Sequence, residues 1–371
     1  MTPDERRGNH RILYVAYPLL TVAKESAGGA EQVLWTLERE MARQGDETTV
    51  AASAGSRVAG ELFATGEPCH RPDDFARRDR EHQEKVVELV RRRAAEGRPF
   101  DLVHDHSGSF WPRAGEFDLP CLGTLHLPRA FYPPRHFENV PANVGFSCVS
   151  PSQARGFADL GALEGVVANG VALDLLEPDE RPNHARRNGL LWLGRICEEK
   201  APHLALEIAA RARLPLMLAG QVYPFTYHQR YFDNEVAPRL RELPDASFAA
   251  LPSFGRKRQL LSEARAVLVT SLAEETSSLV AMEAAASATP VIAFARGALP
   301  QIVCHGVTGF LVDTVEDAIR AIERISEIDH EACLRHAREH FSATVMAENY
   351  GRLYKRILAL RPHRVEPSAT R

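Results

Sequence analysis

Two pairs of charged side chains stand at spacings that could serve a ligand with hydroxyls and phosphates. Glu275 and Glu283 are eight positions apart, and Arg195 and Lys200 are five positions apart. A carboxylate accepts two hydrogen bonds from a vicinal diol, so the first pair could hold two sugar rings at once. Arginine grips phosphate oxygens in a fork and lysine acts as a point charge, so the second pair would suit a diphosphate.

Both carboxylates also have ordinary structural interpretations. Glu283 could be an exposed helix residue, and Glu275 could be a first-turn acid that complements the helix dipole. Spacing alone favours these interpretations. The presence of the Arg195–Lys200 segment in the same half of the chain reverses that preference.

A strand, a loop and a helix must position the carboxylates. The β-branched run Ala266–Thr270 predicts a buried parallel strand, and an apolar stripe at helical spacing predicts a helix from Ser278 that ends before Pro290. The amides of a first helical turn lack intrahelical partners and suit anionic groups, so Ser278 would stand at a ligand-binding end. Glu283, a little over two turns beyond Glu275, would return to the same side of the ligand.

A break in the pattern divides the chain. Asn169–Val171 and the polar stretch Glu177–Asn188 interrupt the alternation of strands and helices and predict a domain boundary. The second half restarts with a strand at Gly189–Leu193, and Gly194 frees the backbone at its end. We therefore expect two doubly wound α/β domains with a cleft between them.

The first half opens with a βαβ pattern. Strands are predicted at Arg11–Tyr17 and Thr48–Ala52, with Gly28 and Gly29 before the intervening helix. These glycines could let the backbone approach a ligand, or they could form only a turn. The G-x-G-x-x-G pattern of dinucleotide-binding proteins is absent.

Polar side chains follow two further predicted strands of the first half. Phe100–His106 ends in polar residues, and Cys121–Leu125 is followed directly by His126. Ligands of open α/β sheets bind outside the carboxyl ends of strands, so His126 could touch a substrate, or it could be structural. The stretch Pro128–Glu138, rich in proline and aromatic residues, is interpreted as a loop that could cover an acceptor.

Composition limits the class of protein. At 371 residues the chain exceeds the length of a single core. A net charge of −4 and a pI near 6.4 give no reason to expect nucleic-acid binding. Six cysteines without C-x-x-C or metal-ligand spacing predict reduced thiols. No stretch approaches the ~18 apolar residues of a membrane span and no signal peptide is evident, so we expect a cytoplasmic protein.

These motifs resemble, in their order and spacing, those of the retaining GT-B glycosyltransferases, specifically family GT4. The resemblance covers nearly the whole chain. It rests on Gly194-Arg195 with Lys200, on Glu275-x7-Glu283 followed by PVIAF, on the Gly28-Gly29 loop, on Val103–His106, on His126, on Asn169–Val171 and on Gly306–Val312.

The resemblance implies an α/β protein of the GT-B fold, with two doubly wound Rossmann-like domains facing a central cleft. Residues 1–170 would form the acceptor-side domain and residues 171–342 the nucleotide-sugar-binding domain. Residues 343–371 would form a helix that crosses back to the first domain, followed by a frayed tail.

The resemblance also implies roles for individual residues. Arg195 and Lys200 would bind the donor's diphosphate and stabilise the charge that develops there, and Glu275 would bind the donor sugar's hydroxyls. His126 would face the reacting sugar. The remaining donor-binding residues would be Glu283 at the ribose, the backbone of Ser277, Ser278 and Leu279, and the glycines Gly28, Gly29 and Gly194.

The implied reaction is hexosyl transfer from a nucleotide-diphosphate sugar, with a UDP-sugar expected first, to a hydroxyl acceptor with retention of configuration. No cofactor or essential metal is implied. The acceptor could be a small molecule, a glycan or a lipid-linked sugar, and peripheral membrane contact stays open. One departure is that Ser277 and Ser278 stand where the family often has Phe-Gly. A UDP-sugar epimerase of the same fold and a non-catalytic nucleotide-sugar-binding protein remain the alternatives.

Overall fold

The computed structural model describes residues 10–69, 71–178 and 189–360. The N-terminal charged segment, most of the predicted boundary stretch Glu177–Asn188 and the predicted frayed tail therefore lie outside the described residues. The described chain divides into two compact units. One comprises residues up to 168 together with those from 346 onward, and the other comprises residues 169–345.

The first unit is built on a seven-stranded sheet whose neighbouring strands are all parallel. Its order is β3-β2-β1-β4-β5-β6-β7. The strands are β1 (Arg11–Val15), β2 (Glu47–Ala52), β3 (Glu61–Ala64), β4 (Leu102–Asp105), β5 (Cys121–Leu125), β6 (Val144–Cys148) and β7 (Leu163–Val166).

Three connections between these strands contain an α-helix: β1 to β2, β3 to β4, and β6 to β7. These helices are α1 (Gly29–Arg43), α2 (Phe75–Ala95) and α3 (Pro151–Arg155). The last helix of the chain, α13 (Ala343–Leu360), groups with this unit from Met346 onward. Its Tyr350 and Tyr354 are fully buried and hydrogen-bond to Thr124 on β5 and His104 on β4.

The second unit is built on a six-stranded parallel sheet of order β10-β9-β8-β11-β12-β13. Its strands are β8 (Leu190–Arg195), β9 (Leu216–Gln221), β10 (Ala246–Ala250), β11 (Ala266–Val269), β12 (Val291–Phe294) and β13 (Gly309–Val312). Its helices are α4 (Leu173–Leu176), α5 (Pro202–Ala212), α6 (Thr226–Tyr231), α7 (Ala237–Glu242), α8 (Phe254–Glu263), α9 (Leu279–Ala286), α10 (Leu299–Ile302), α11 (Val315–Glu323) and α12 (His330–His340). Every residue of β11 and β12 is buried, as expected for strands covered on both faces.

The structure differs from what the sequence indicates in two strands and two helical segments. The strands β3 and β7 were not predicted, because these short edge strands are only partly buried and lack a continuous apolar run. The segment Gln229–Leu243 is not one continuous α-helix, since α6 and α7 are joined by a π-helical turn at Phe232–Val236, just before Pro238. Helix α9 does not have a single apolar stripe, since six consecutive residues from Ala281 to Ala286 are buried.

Among the described residues, no helix combines the length and apolarity needed to cross a bilayer.

Candidate functional site

The predicted cations and carboxylates of the second unit come from loops on neighbouring strands. Strands β8 and β11 pair in parallel, so the loops that follow them leave the same edge of the sheet. Lys200 ends a 3-10 turn after β8, and Glu275 lies in the loop between β11 and α9. The sheet topology therefore brings together segments that are separated by 75 positions in the chain.

Backbone contacts fix these two loops to each other. The Thr270 hydroxyl donates to the carbonyl oxygens of Lys200 and Ala201 at 3.1 and 2.9 Å. The backbone amide of Leu272 donates to the carbonyl oxygen of Glu199 at 2.8 Å, and the Ser271 hydroxyl donates to the same oxygen at 3.1 Å. The relative position of Lys200 and Glu275 thus depends on a network, and not only on their own contact.

Lys200 and Glu275 form an ion pair. The Lys200 ammonium donates to a carboxylate oxygen of Glu275 at 2.5 Å. The Glu275 side chain is 7% exposed and that of Lys200 is 32% exposed, so the ammonium keeps a face open to solvent. An ammonium has three donors, which leaves two for another anion.

Glu283 lies inside the unit and is paired as well. Its carboxylate accepts a hydrogen bond from the Lys257 ammonium at 2.6 Å, with both side chains mostly buried. The structural interpretation of Glu283 as an exposed helix residue is therefore wrong. Lys257 could not be predicted as this partner from the sequence, because it is on a different helix, α8, and its spacing from Glu283 carries no signal.

Gly194 and Arg195 end strand β8 beside Gly220 and Gln221 of β9. The two backbones approach closely, since a side chain at Gly220 would collide with the carbonyl oxygen of Gly194. Arg195 is exposed, and its guanidinium forms no ion pair with the part of the chain that the structure describes. It is therefore available to an anion.

The serines at the start of α9 have different roles. The Ser278 side chain caps the helix by accepting from the Ala281 amide, at 3.4 Å. The Ser277 hydroxyl is buried and has no hydrogen-bond partner among the described residues. A buried unpaired hydroxyl is uncommon and indicates a position where a ligand or water completes the bonding. Leu279, the first residue of the helix, is half-buried.

Gly28 and Gly29 lie at the start of helix α1 in the first unit. Gly28 is the N-cap residue, and Gly29 opens the helix. A Cβ atom at position 28 would clash with the carboxylate of Glu31, which is itself buried. Burial raises the pKa of Glu31 to about 7, so this carboxyl group titrates near neutral pH. The sequence did not indicate Glu31 as a group with a shifted pKa, since its burial cannot be inferred from its position in an amphipathic helix.

His126 follows strand β5 and contacts a second histidine of the first unit. Its Nε2 lies 3.1 Å from Nδ1 of His106, and the two rings stack at 5.2 Å. Burial lowers the pKa of His126 to about 4, so the ring is neutral at physiological pH. One of the two facing nitrogens must therefore carry a hydrogen and donate a hydrogen bond to the other, which accepts it.

His104 and Asp105, at the polar end of the predicted strand Phe100–His106, have structural roles. His104 is fully buried between Thr124 and Tyr354, with hydrogen bonds of 2.7 and 2.6 Å. Asp105 accepts from the backbone amides of Ser107 and Trp111 and so shapes the turn after β4. Burial raises the pKa of Asp105 to about 6.

A group of potential metal ligands also lies in the second unit. The side-chain ligand atoms of Cys197, Glu199 and His228 are all within 4.8 Å of one another. Burial lowers the pKa of His228, which favours the neutral imidazole. Cysteine spacing gave no indication of this group, because His228 belongs to a different element of the chain.

Two family models match successive parts of the chain. Residues 27–175 match the model described as Glycosyltransferase Family 4, and residues 187–327 match the model described as glycosyl transferases group 1.

Two curated relatives are D-inositol 3-phosphate glycosyltransferases. That of Thermobifida fusca is 28% identical over 264 residues, 58% of this chain and 59% of the relative. That of Geodermatophilus obscurus is 34% identical over 199 residues, 46% of this chain and 43% of the relative. The chain thus spans about half the length of the curated relatives it matches.

Solved structures match over almost the whole chain. AviGT4, a glycosyltransferase involved in avilamycin A biosynthesis, has a TM-score of 0.71 at 21% identity, covering 94% of this chain and 98% of that one. HepE of Anabaena in complex with UDP and glucose has a TM-score of 0.72 at 16% identity, covering 93% of this chain and 99% of that one. At these identities the likeness shows the fold.

Proposed function

We propose that this chain, which belongs to the GT4-like glycosyltransferases of the GT-B fold, moves a hexosyl group from a nucleotide-diphosphate sugar to a hydroxyl acceptor. The observation that carries the proposal is the ion pair of Lys200 and Glu275, formed by loops at the carboxyl ends of two neighbouring parallel strands. A sugar nucleotide presents a diphosphate and sugar hydroxyls close together. The Lys200 ammonium would bind the diphosphate, and the Glu275 carboxylate would accept hydrogen bonds from the hydroxyls.

Lys200 and Arg195 would carry the electrostatic part of the reaction. Negative charge develops on the diphosphate as the glycosidic bond breaks, and fixed cations stabilise that charge. Lys200 has donors left after it binds Glu275, and Arg195 forms no ion pair with the described residues. The diphosphate would therefore be bound by the Lys200 ammonium as a point charge and by the forked N–H groups of the Arg195 guanidinium.

Glu275 and Glu283 would bind hydroxyl groups. Glu275 keeps one carboxylate oxygen beyond its contact with Lys200 and would accept from the donor sugar. Glu283 would accept from the ribose diol with the oxygen that Lys257 does not hold. Because lysines orient both carboxylates, the donor would meet acceptors whose directions are already set.

We propose UDP as the nucleotide and retention of configuration as the stereochemical outcome. Support for UDP is that HepE, a protein of the same fold, was crystallised with UDP and with UDP-glucose. Retention would follow from a same-face displacement in which the leaving phosphate takes the acceptor's proton. The phosphates would lie beside Lys200 and Arg195. These cations would therefore bind the phosphate that is both the leaving group and the base that accepts the proton.

The experiment begins with the donor. A thermal-shift screen of UDP-, GDP-, ADP- and dTDP-sugars would identify it, because a ligand that binds only the folded chain raises the melting temperature. The selected donor is then incubated with candidate hydroxyl acceptors, with D-inositol 3-phosphate first because relatives carry that name. Released nucleotide is measured, and proton NMR of the product gives its anomeric configuration.

The product's anomeric configuration, the need for an acceptor and the cleavage of the donor distinguish the possible outcomes. A glycosylated product with the donor's anomeric configuration would support the proposal, and an inverted product would overturn retention. Conversion of the donor to an epimer without any acceptor would replace the transferase with an epimerase. A donor that binds but is never cleaved, even slowly by water, would leave a binding protein.

A further inference from the structure

A candidate site of different chemistry includes two side chains of the segment between Arg195 and Lys200. Cys197 and Glu199 belong to the turn that follows β8, and His228 belongs to α6, which follows β9. These strands are neighbours in the sheet, and the amide of Ile196 donates to the carbonyl oxygen of Gln221 at 2.9 Å. Two elements with a fixed relation therefore supply the three side chains.

His228 is the residue in need of a partner. Its side chain is fully buried, yet neither ring nitrogen has a hydrogen-bond partner among the described residues. The rings of Tyr223, Phe225 and Tyr227 contact it and offer the nitrogens no hydrogen bond. A buried imidazole without partners is costly, so something should complete its bonding.

The other two side chains indicate what that ligand is. The thiol of Cys197 is fully buried and makes a long contact of 3.6 Å with the carbonyl oxygen of Arg195. A thiolate, a carboxylate and an imidazole together are a ligand set for Zn²⁺, whereas Mg²⁺ and Ca²⁺ prefer oxygen ligands alone. We propose that Cys197, Glu199 and His228 bind one Zn²⁺ ion, with the fourth position open to water.

Geometry and charge both agree with this site. Ligand atoms around tetrahedral zinc lie about 3.5 Å apart, and here they lie within 4.8 Å, so small side-chain rotations would close the site. The thiolate and the carboxylate would neutralise the two charges of the ion. The nearby Arg195 guanidinium would therefore face a neutral group, and the thiol proton would leave to solvent.

The ion would have a mechanical consequence for the loop. Cys197 and Glu199 both lie between Arg195 and Lys200 in the chain, so a bound ion would tie this segment to α6. If the segment binds a diphosphate as proposed above, zinc would hold its shape before the donor arrives. Zinc binding itself does not depend on that function.

The test is a direct titration of the full chain with zinc alone. Protein stripped with a chelator is titrated with Zn²⁺ in competition with a chromogenic chelator, and its melting temperature is followed. We expect one ion per chain at micromolar affinity or better, together with a rise in melting temperature. Cys197→Ser and His228→Gln should each weaken binding by at least ~10-fold, the scale on which metal sites lose affinity when a ligand or its supporting partner is removed.

Cys304→Ser is the matched control. Cys304 is an exposed thiol with His305 beside it, so adventitious zinc would bind there. The control variant should bind zinc as the unaltered chain does. Failure of the unaltered chain to bind one ion, or binding that only Cys304→Ser removes, would overturn the proposal.

A second measurement needs no variant, so it tests the site even if Cys197→Ser or His228→Gln fails to fold. The unaltered chain is loaded with Co²⁺ in place of Zn²⁺, and its absorption spectrum is recorded. Thiolate-to-cobalt charge transfer that Zn²⁺ displaces would support Cys197 as a ligand. A spectrum without that band would overturn the assignment. Both readouts are independent of glycosyl transfer, so failure of the proposed function leaves this test intact.

Discussion

At the scale of single residues, the state of Lys200 is the most informative feature of the second unit. It is held by a buried carboxylate but keeps about a third of its side chain exposed. Replacing it by alanine removes a fixed charge beside the proposed diphosphate. We expect Lys200→Ala to lower kcat/KM by at least ~10²-fold, on the scale of lost charge stabilisation.

The control for this prediction is Lys355→Ala, which removes an exposed lysine of helix α13 in the first unit. Its steady-state rates should match those of the unaltered chain. Melting temperatures of both variants are needed, because Lys200→Ala also leaves Glu275 buried without its partner. Near-normal turnover of a folded Lys200→Ala enzyme would remove Lys200 from the mechanism.

The Lys257–Glu283 pair leads to a prediction about stability. Removing one partner of a mostly buried ion pair leaves the other charge uncompensated, so Lys257→Ala should lower the free energy of unfolding by about 1–3 kcal/mol. Adding Glu283→Gln to that variant should recover part of the loss, because the remaining group is then neutral. Urea unfolding of both single variants and of the double variant measures the coupling. Strict additivity of the two changes would show that the pair makes no contribution.

Glu31 adds a pH dependence to the stability of the first unit. Its pKa is raised by burial from 4.5 to about 7, so between these values the folded chain binds more protons than the unfolded chain. The free energy of unfolding should therefore fall as the pH rises from about 4.5 through 7. Glu31→Gln cannot ionise, so relative to this variant the unaltered chain should lose a few kcal/mol over that range. Chemical denaturation at several pH values measures both slopes, and parallel slopes would contradict the prediction.

At the scale of elements, the buried end of helix α13 can be tested through Tyr354. Its hydroxyl contacts Nδ1 of His104 at 2.6 Å in a fully buried position. Tyr354→Phe keeps the ring and leaves that nitrogen without this partner, which should lower the free energy of unfolding by about 1–3 kcal/mol. The neighbouring exposed change Lys355→Ala should stay within about 0.5 kcal/mol of the unaltered chain. Equal stabilities would show that the hydrogen bond contributes nothing.

The elements also show what the sequence could and could not predict. Strands such as β8 and β11 were predicted because buried parallel strands consist of continuous apolar runs. Edge strands carry no such run, which is why β3 and β7 were missed. Contacts between elements leave no trace in local spacing. The pairing of Glu283 with Lys257 and the approach of His228 to Cys197 became visible only once the sheet order was known.

At the scale of the whole molecule, donor binding should be visible in the stability of the chain. A ligand that binds only the folded state adds about 2.7 kcal/mol at a concentration of 100 times its Kd. The proposed donor should therefore raise the melting temperature of the unaltered chain, and the rise should be smaller in Lys200→Ala at equal concentration. Differential scanning fluorimetry over a donor concentration series checks this. An equal rise in both proteins would show that Lys200 does not bind the donor.

Helix α13 has a consequence for the inheritance of this architecture. The first unit is discontinuous in sequence, since residues from 346 onward complete it after the whole second unit has been made. Tyr350 and Tyr354 provide buried contacts that residues before 169 lack without them. Exchange of the first unit between two related genes would therefore need two crossovers, with the second one near codon 346. A single crossover would combine the strands of the first unit from one gene with helix α13 from the other. Tyr350, Tyr354 and His104 should therefore be inherited together.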